Sequence, residues 1–127
     1  MANNVTNAEE RRLLDASLDS TYLALFTADP TEAGSLASEV SGGSYARQAA
    51  SFDAAATDGG GATTKELSGD ITFPTASADW GTITHFGFAS ASTAGTLRWS
   101  APLDASKTIA NGDTYKQSAA GTVASLN

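Results

Sequence analysis

The chain has 127 residues, of which 14 are acidic and 7 are basic, so its net charge at neutral pH is −7. A length of this order fits one domain that buries roughly two-thirds of its unfolded surface, and a second domain is not expected. Because the net charge is negative and the basic residues are dispersed, the chain would not attract nucleic acid or anionic membrane surfaces, and neither is expected as a partner.

Large apolar side chains are scarce in this sequence. Alanine accounts for 25 residues, whereas leucine, isoleucine, valine and phenylalanine together account for 21. The aromatic residues are nevertheless spread along the chain between turn signals, which favours a folded domain over a disordered segment. Small and polar residues dominate the remainder, a composition that favours close-packed sheets and contact surfaces over a deep ligand cavity.

The sequence contains no cysteine, which excludes disulfide bonds and zinc sites with thiolate ligands. The N-terminal stretch MANNVTNAEERR lacks the apolar segment of a secretory leader, and no apolar run approaches the length of a membrane span. We therefore expect a soluble protein that is stable without covalent cross-links.

The first predicted element is a short helix over residues 8–18. A candidate capping box precedes it, formed by Thr6 with Glu9 or by Asn7 with Glu10. The apolar stripe of this helix consists of Leu13, Leu14 and Leu18.

Seven or eight short strands are predicted after the helix. Alternating or continuous apolar runs place them near residues 22–26, 45–52, 65–73, 83–89, 97–103 and 121–126, with weaker signals between. The run 22–26 is apolar on both faces, which is typical of a central strand. Segments 83–89 and 97–103 predict a hairpin, and Asn111-Gly112-Asp113 predicts a tight turn.

These elements indicate an all-β fold, an antiparallel β-sandwich or small jelly roll with a short N-terminal helix. The predicted organisation is an N-terminal arm and helix over residues 1–19, followed by a β-sandwich domain over residues 20–127.

The candidates for catalysis are weak. His85 is the only histidine, and its position in the middle of a strand favours a hydrogen-bonded sheet residue over a general base. Aspartates are scattered through turns, where they form local hydrogen bonds, and Asp58 or Asp113 remains open as a loop ligand for calcium. Gly59-Gly60-Gly61 lacks the lysine of a phosphate-binding loop. We predict no enzymatic activity, no cofactor and no resident metal.

The segment DWGTITHFGF, residues 79–88, contains an unusual share of the aromatic residues. These rings offer a platform for sugar stacking, but a chain with so few bulky side chains needs them for its core. The predicted core packing residues are Tyr22, Phe26, Phe73, Trp80, Phe86, Phe88, Leu97 and Trp99.

Four stretches resemble a family of small virion proteins of tailed phages, in the same order along the chain. These stretches are YLALFTADPTEAG, EVSGGSYARQA, ITFPTASADWGTITHFGF and SKTIANGDT. Members of that family are described as tail-fibre-like, minor structural or capsid decoration proteins. The resemblance covers about residues 20–126 and implies a β-sandwich virion component without enzymatic activity.

The resemblance implies two functions. The first is capsid decoration, in which the protein binds the outside of the head and stabilises it, with the major capsid protein and copies of itself as partners. The alternative is a tail fibre or tail-tip protein that binds the host surface. The expected location is the virion, on the outer surface of the head or, as the less favoured alternative, on the tail. Before assembly the protein is expected in the host cytoplasm.

The N-terminal helix is the predicted point of capsid attachment, because a terminal segment can become ordered on a neighbouring molecule. The candidate contact residues are Arg11, Arg12, Leu13 and Leu14. Deletion of residues 1–19 is accordingly predicted to abolish attachment while the sandwich remains folded.

Overall fold

The computed structural model describes residues 5–120 and 122–126 and contains one helix and nine strands within them. The elements in chain order are α1 (Asn7–Leu18), β1 (Tyr22–Phe26), β2 (Gln48–Ala49), β3 (Ala56–Thr57), β4 (Thr63–Glu66), β5 (Ile71–Thr72), β6 (Gly81–Ala89), β7 (Leu97–Ile109), β8 (Lys116–Gln117) and β9 (Val123–Leu126). The prediction of an all-β sandwich with a short N-terminal helix is confirmed.

The strands form three antiparallel sheets. The largest has the order β2-β1-β6-β7, the second has the order β3-β4-β9, and β5 pairs with β8. Strand β1 lies inside the largest sheet, and its residues from Leu23 to Phe26 are completely buried. Burial on both faces agrees with the central strand predicted for residues 22–26.

Strands β6 and β7 form the predicted hairpin, in which Phe88 lies opposite Trp99 and Phe86 lies opposite Ala101. The pairing is interrupted twice: Arg98 has no partner between Phe88 and Ala89, and Thr84 alone stands opposite residues 103–106. The bulge opposite Thr84 adds length to β7, which forms the outer edge of its sheet and extends beyond the predicted end at residue 103.

Gly87 permits the close approach of β6 to β7. A Cβ atom at this position would lie 2.5 Å from the carbonyl oxygen of Trp99 and 2.7 Å from Cδ1 of Leu97. We expect Gly87→Ala to lower the free energy of unfolding by about 1–3 kcal/mol, since the backbone of β7 would have to move. Urea unfolding of both proteins measures the change, and Gly69→Ala is the control because nothing lies within 4 Å of a Cβ there. Equal stabilities of the two variants would contradict this account.

The helix α1 begins at a cap and packs onto the sheets. The Thr6 side chain accepts a hydrogen bond from the backbone N–H of Glu9, as the capping-box pattern predicts. Leu14 and Leu18 are fully buried in the same hydrophobic cluster as Leu23 and Ile83. The segment predicted as an arm therefore contributes directly to the core.

Polar groups also join α1 to the sheet beneath it. Lys65 in β4 is only 1% exposed, and its ammonium group forms ion pairs with Asp15 and Asp19. One turn earlier, the carboxylate of Glu10 accepts a hydrogen bond of 2.7 Å from the Thr63 hydroxyl. These contacts satisfy polar groups that burial would otherwise leave without partners.

The predicted core residues are divided between the interior and the margin. Phe26, Phe73, Trp80 and Phe88 are buried. Tyr22, Phe86, Leu97 and Trp99 are half-buried. Phe73 and Trp80 pack with Tyr45 and Tyr115 into an aromatic cluster whose ring centroids lie 5.4–6.2 Å apart.

Two predicted strands are wrong in extent. The segment 65–73 is divided between β4 and β5, which belong to different sheets, because residues 67–70 leave the first sheet before β5 begins. Of the segment 45–52, only β2 forms a strand, and Phe52 adds a single bridge to Leu67.

Candidate binding groove

A groove opens where the two larger sheets diverge. It is bordered by β7, β8 and β9, each of which is the last strand of its own sheet. Its volume is about 550 Å³, and its floor is formed by aromatic side chains from β6 and β7. The sandwich is thus open along one side, because the edge strands of its sheets do not meet there.

The aromatic floor is held in place by its contacts. The indole N–H of Trp99 donates a hydrogen bond of 3.0 Å to the hydroxyl of Ser17, at the C-terminal end of α1. Phe86 packs edge-to-face on Phe88, with 5.9 Å between the ring centroids. Trp99 and Phe86 are half-buried, so part of each ring faces the groove. Sequence reasoning assigned both residues to the core and missed this exposure.

Two lysines lie on the wall of the groove. The ammonium group of Lys107 is 5.6 Å from the centre of the Tyr115 ring, and no carboxylate oxygen of the described residues is within ion-pair distance of it. Lys116 forms an exposed ion pair of 3.1 Å with Asp70. The groove also contains the exposed Asp104. Two ammonium groups and two carboxylates thus meet at this wall, and Lys107 is the ammonium that has no ion-pair partner among the described residues.

A chain of hydrogen bonds supports the lysine side of the groove. The Tyr115 hydroxyl donates to the side-chain oxygen of Gln117 at 2.7 Å, and the Gln117 amide donates to the Thr122 hydroxyl at 2.8 Å. Burial raises the pKa of Tyr115 to about 12, so its hydroxyl stays protonated and remains a donor at neutral pH.

His85 lies outside the groove. It is adjacent to Phe86 in β6, so its side chain points to the opposite face of the sheet. Its Nδ1 atom is 2.9 Å from the Thr84 hydroxyl, and its Nε2 atom is 4.0 Å from an oxygen of Asp29. These contacts match the prediction of a hydrogen-bonded sheet histidine.

The aspartates considered as calcium ligands serve the turns that contain them. Asp58 accepts hydrogen bonds from the backbone N–H groups of Gly60 and Ala62, and Asp113 accepts one from Ala110. Within residues 5–120 and 122–126, no three metal-ligating side chains come together.

A second polar cluster joins two loops. Arg47, with a side chain only 4% exposed, binds both carboxylate oxygens of Glu39 and donates to the carbonyl oxygens of Ala91 and Ala94. Tyr45 donates to the same carboxylate, and desolvation raises its pKa far above the ordinary value. This cluster fixes the loops before β2 and after β6 and uses its donors internally.

The predicted capsid contacts do not share one surface. Leu14 is fully buried inside the chain, so it is not available to a partner while α1 is folded, which corrects the prediction for this residue. Leu13 is 37% exposed on the outer face. Arg11 donates to the Thr57 hydroxyl at 2.8 Å, and Arg12 forms an ion pair with Glu9.

Comparison with known protein families agrees with the resemblance. A family model described as Podophage GP4 fiber I protein gp80 matches residues 1–125. The chain belongs to this family. The prediction of a phage virion structural protein family is confirmed, and the match includes the N-terminal segment that the resemblance did not cover. A search among curated proteins found no match. Among the described residues, no helix has the length and apolar character needed to cross a membrane.

Proposed function

We propose that this protein is a structural subunit of a virion fibre on the phage tail, and that it acts by binding the host surface. The observation that carries the proposal is the match of the fibre family to residues 1–125, nearly the whole chain. The open groove supports a binding role, because it presents half-exposed aromatic rings and charged side chains on a rigid sheet edge.

We expect the protein to lack enzymatic activity and to bind without a cofactor. His85 is directed away from the groove, and its neighbours Thr84 and Asp29 supply a hydroxyl and a distant carboxylate. A nucleophile and a base within hydrogen-bond distance beside a binding cavity are required for hydrolysis of the common kind. The groove residues described above fit recognition rather than reaction.

Capsid decoration is the second candidate function. The net charge of −7 suits the outside of a head, away from packaged DNA, and limits self-association before assembly. In that case the partners are the major capsid protein and further copies of this chain. Of the predicted contact residues, Leu13 and Arg12 lie on the exposed face of α1 and remain candidates for such a contact.

The location of the protein on the particle separates the two functions. We expect quantitative mass spectrometry of separated heads and tails to find the chain with the tails, in the few copies that fibre symmetry requires. Cryo-electron microscopy of the intact virion then places it in the fibre density. Recovery with purified heads, at a copy number matching the capsid lattice, would replace the fibre proposal with decoration.

A further inference from the structure

We propose that the groove between β7, β8 and β9 binds an acidic oligosaccharide, a short chain of pyranose sugars that bear carboxylates. The inference rests on the proposed function, because a host-surface ligand is what a fibre subunit meets. It names the class of ligand and the residues that recognise it.

The shape of the groove fits a ligand of a few sugar rings. Its volume of about 550 Å³ lies within the range of roughly 300–1,000 Å³ that is typical of small-molecule sites. It is partly open to solvent, so an oligomer can extend beyond it. A closed cavity of the same volume would admit only a single compact molecule.

The aromatic residues explain why a sugar is the fitting ligand. One face of a pyranose ring exposes C–H groups that pack on aromatic rings, while its hydroxyls need hydrogen-bonding partners. Trp99 and Phe86 supply half-exposed rings, and the Ser17 hydrogen bond fixes the orientation of the indole. Ser118 and Ser125 line the same groove and can offer hydroxyl groups to a ligand. A wholly apolar ligand would remove these hydroxyls and the lysines from water without compensation.

The lysines explain why the sugar carries negative charge. Lys107 and Lys116 are two of the seven basic residues of the chain, and both line this groove. The ion pair of Lys116 with Asp70 leaves further N–H groups of that ammonium free to bind a ligand, since an ammonium has three donors. Asp70 and Asp104 offset part of this attraction, so a ligand carboxylate is drawn mainly to Lys107, whose ammonium has no ion-pair partner among the described residues.

The length of the ligand distinguishes a short acidic oligosaccharide from nucleic acid. The net charge of −7 repels a long polyanion that extends over the rest of the protein surface. A uronic acid chain of a few rings can place a carboxylate beside Lys107 without extending far beyond the groove.

The test uses the full chain labelled with nitrogen-15 and titrated with hexagalacturonic acid. The two indole N–H signals report on two sites, since Trp99 lines the groove while the Trp80 indole is buried and donates to the Gly43 carbonyl oxygen. We expect a saturable shift of the Trp99 signal and an unchanged Trp80 signal. The fully methyl-esterified hexamer is the matched ligand, because it has the same rings without charge, and we expect it to bind more weakly.

Variants assign the charge effect to the groove. Lys107→Ala and Lys116→Ala are each expected to weaken binding roughly two- to fivefold, as exposed ion pairs do, and added salt should weaken it further. Arg12→Ala removes the same charge from an exposed site on α1 and is expected to leave the affinity unchanged. Circular dichroism checks that all three variants fold.

Three results would overturn the inference. They are the absence of a Trp99 shift with the acid hexamer, equal binding of the methyl ester, and equal weakening by Arg12→Ala. The titration uses isolated protein, so its failure leaves the location on the particle unaffected. Conversely, the protein could bind the acid hexamer and yet be found on heads. That result would contradict the proposed function and leave the ligand class assigned to the groove unchanged.

Discussion

Replacing Leu14 by alanine is expected to lower the free energy of unfolding by about 2–5 kcal/mol, the range for leucine truncation in a well-packed core. Leu14 is 0% exposed and packs with Leu18, Leu23 and Ile83 where α1 meets the sheets. The loss combines the buried apolar surface with the cavity left behind. Urea unfolding of both proteins, monitored by circular dichroism, measures it.

The adjacent residue supplies the control. Leu13 is 37% exposed, so Leu13→Ala is expected to change stability by no more than about 0.5 kcal/mol. If Leu14→Ala proves as stable as Leu13→Ala, the helix does not belong to the core in solution. By the same packing, deletion of residues 1–19 is expected to unfold the sandwich, because it exposes the core beneath α1. That expectation replaces the prediction that the truncated chain stays folded.

Asp15→Ala is expected to cost about 2–4 kcal/mol, because it removes one partner of a buried ammonium group. Lys65 is 1% exposed, and Asp19 is then its remaining carboxylate partner. The backbone N–H of Ala55 loses its acceptor as well. The cost lies towards the lower part of the range for buried pairs, because the Asp15 side chain is 38% exposed and water screens it.

A second substitution separates the charge from the packing. Lys65→Met removes the buried ammonium and keeps an apolar stem of similar length, so it is expected to be tolerated better than Asp15→Ala. In the double variant, Asp15→Ala should then cost much less than it does alone, as a double-mutant cycle of unfolding free energies would report. Additive costs would show that Lys65 and Asp15 act independently.

The same pair makes stability depend on pH in a defined direction. The hydrogen bond from Lys65, followed by that from Ala55, lowers the pKa of Asp15 below its ordinary value of 3.8. Burial lowers the pKa of Lys65, but the hydrogen bonds that its ammonium donates to Asp15 and Asp19 outweigh this effect and raise the pKa overall. A carboxyl group with a lowered folded pKa stabilises the fold above its unfolded pKa and loses that contribution as the pH falls through the folded value. The stability difference between the natural chain and Asp15→Asn should therefore shrink in acid.

Local signals in the sequence were sufficient for the helix and for the longest strands. The Thr6 cap and the leucine spacing predict α1 to within one residue at its start. The alternation in residues 83–89 predicts most of β6, because Phe86 and Phe88 share one face of the strand, although residues 87–89 are all buried. These elements are long enough for the period of the side chains to be seen.

The remainder depends on contacts that a single sequence does not show. Strands β2, β3, β5 and β8 have two residues each, too few for any period, and the partners of β2, β5 and β8 are distant along the chain. A lysine such as Lys65 is normally expected to be exposed. Its burial is stable because two carboxylates about 50 positions earlier in the chain, Asp15 and Asp19, pair with its ammonium group. The groove was missed because Trp99 and Phe86 have apolar residues two positions away, Leu97 and Phe88, as core-facing strand residues do, while the divergence of the sheets is visible only in three dimensions.

The outer edge of β7 bears on the life of the protein before it is incorporated into a particle. An unpaired strand of 13 residues invites other chains to add to it, and such addition leads to aggregation. In β7, Pro102 lacks an N–H donor, and the interruption opposite Thr84 follows at once. Together they interrupt the ladder of hydrogen bonds that a second copy could form along this edge, so we expect free chains to resist polymerisation through β7.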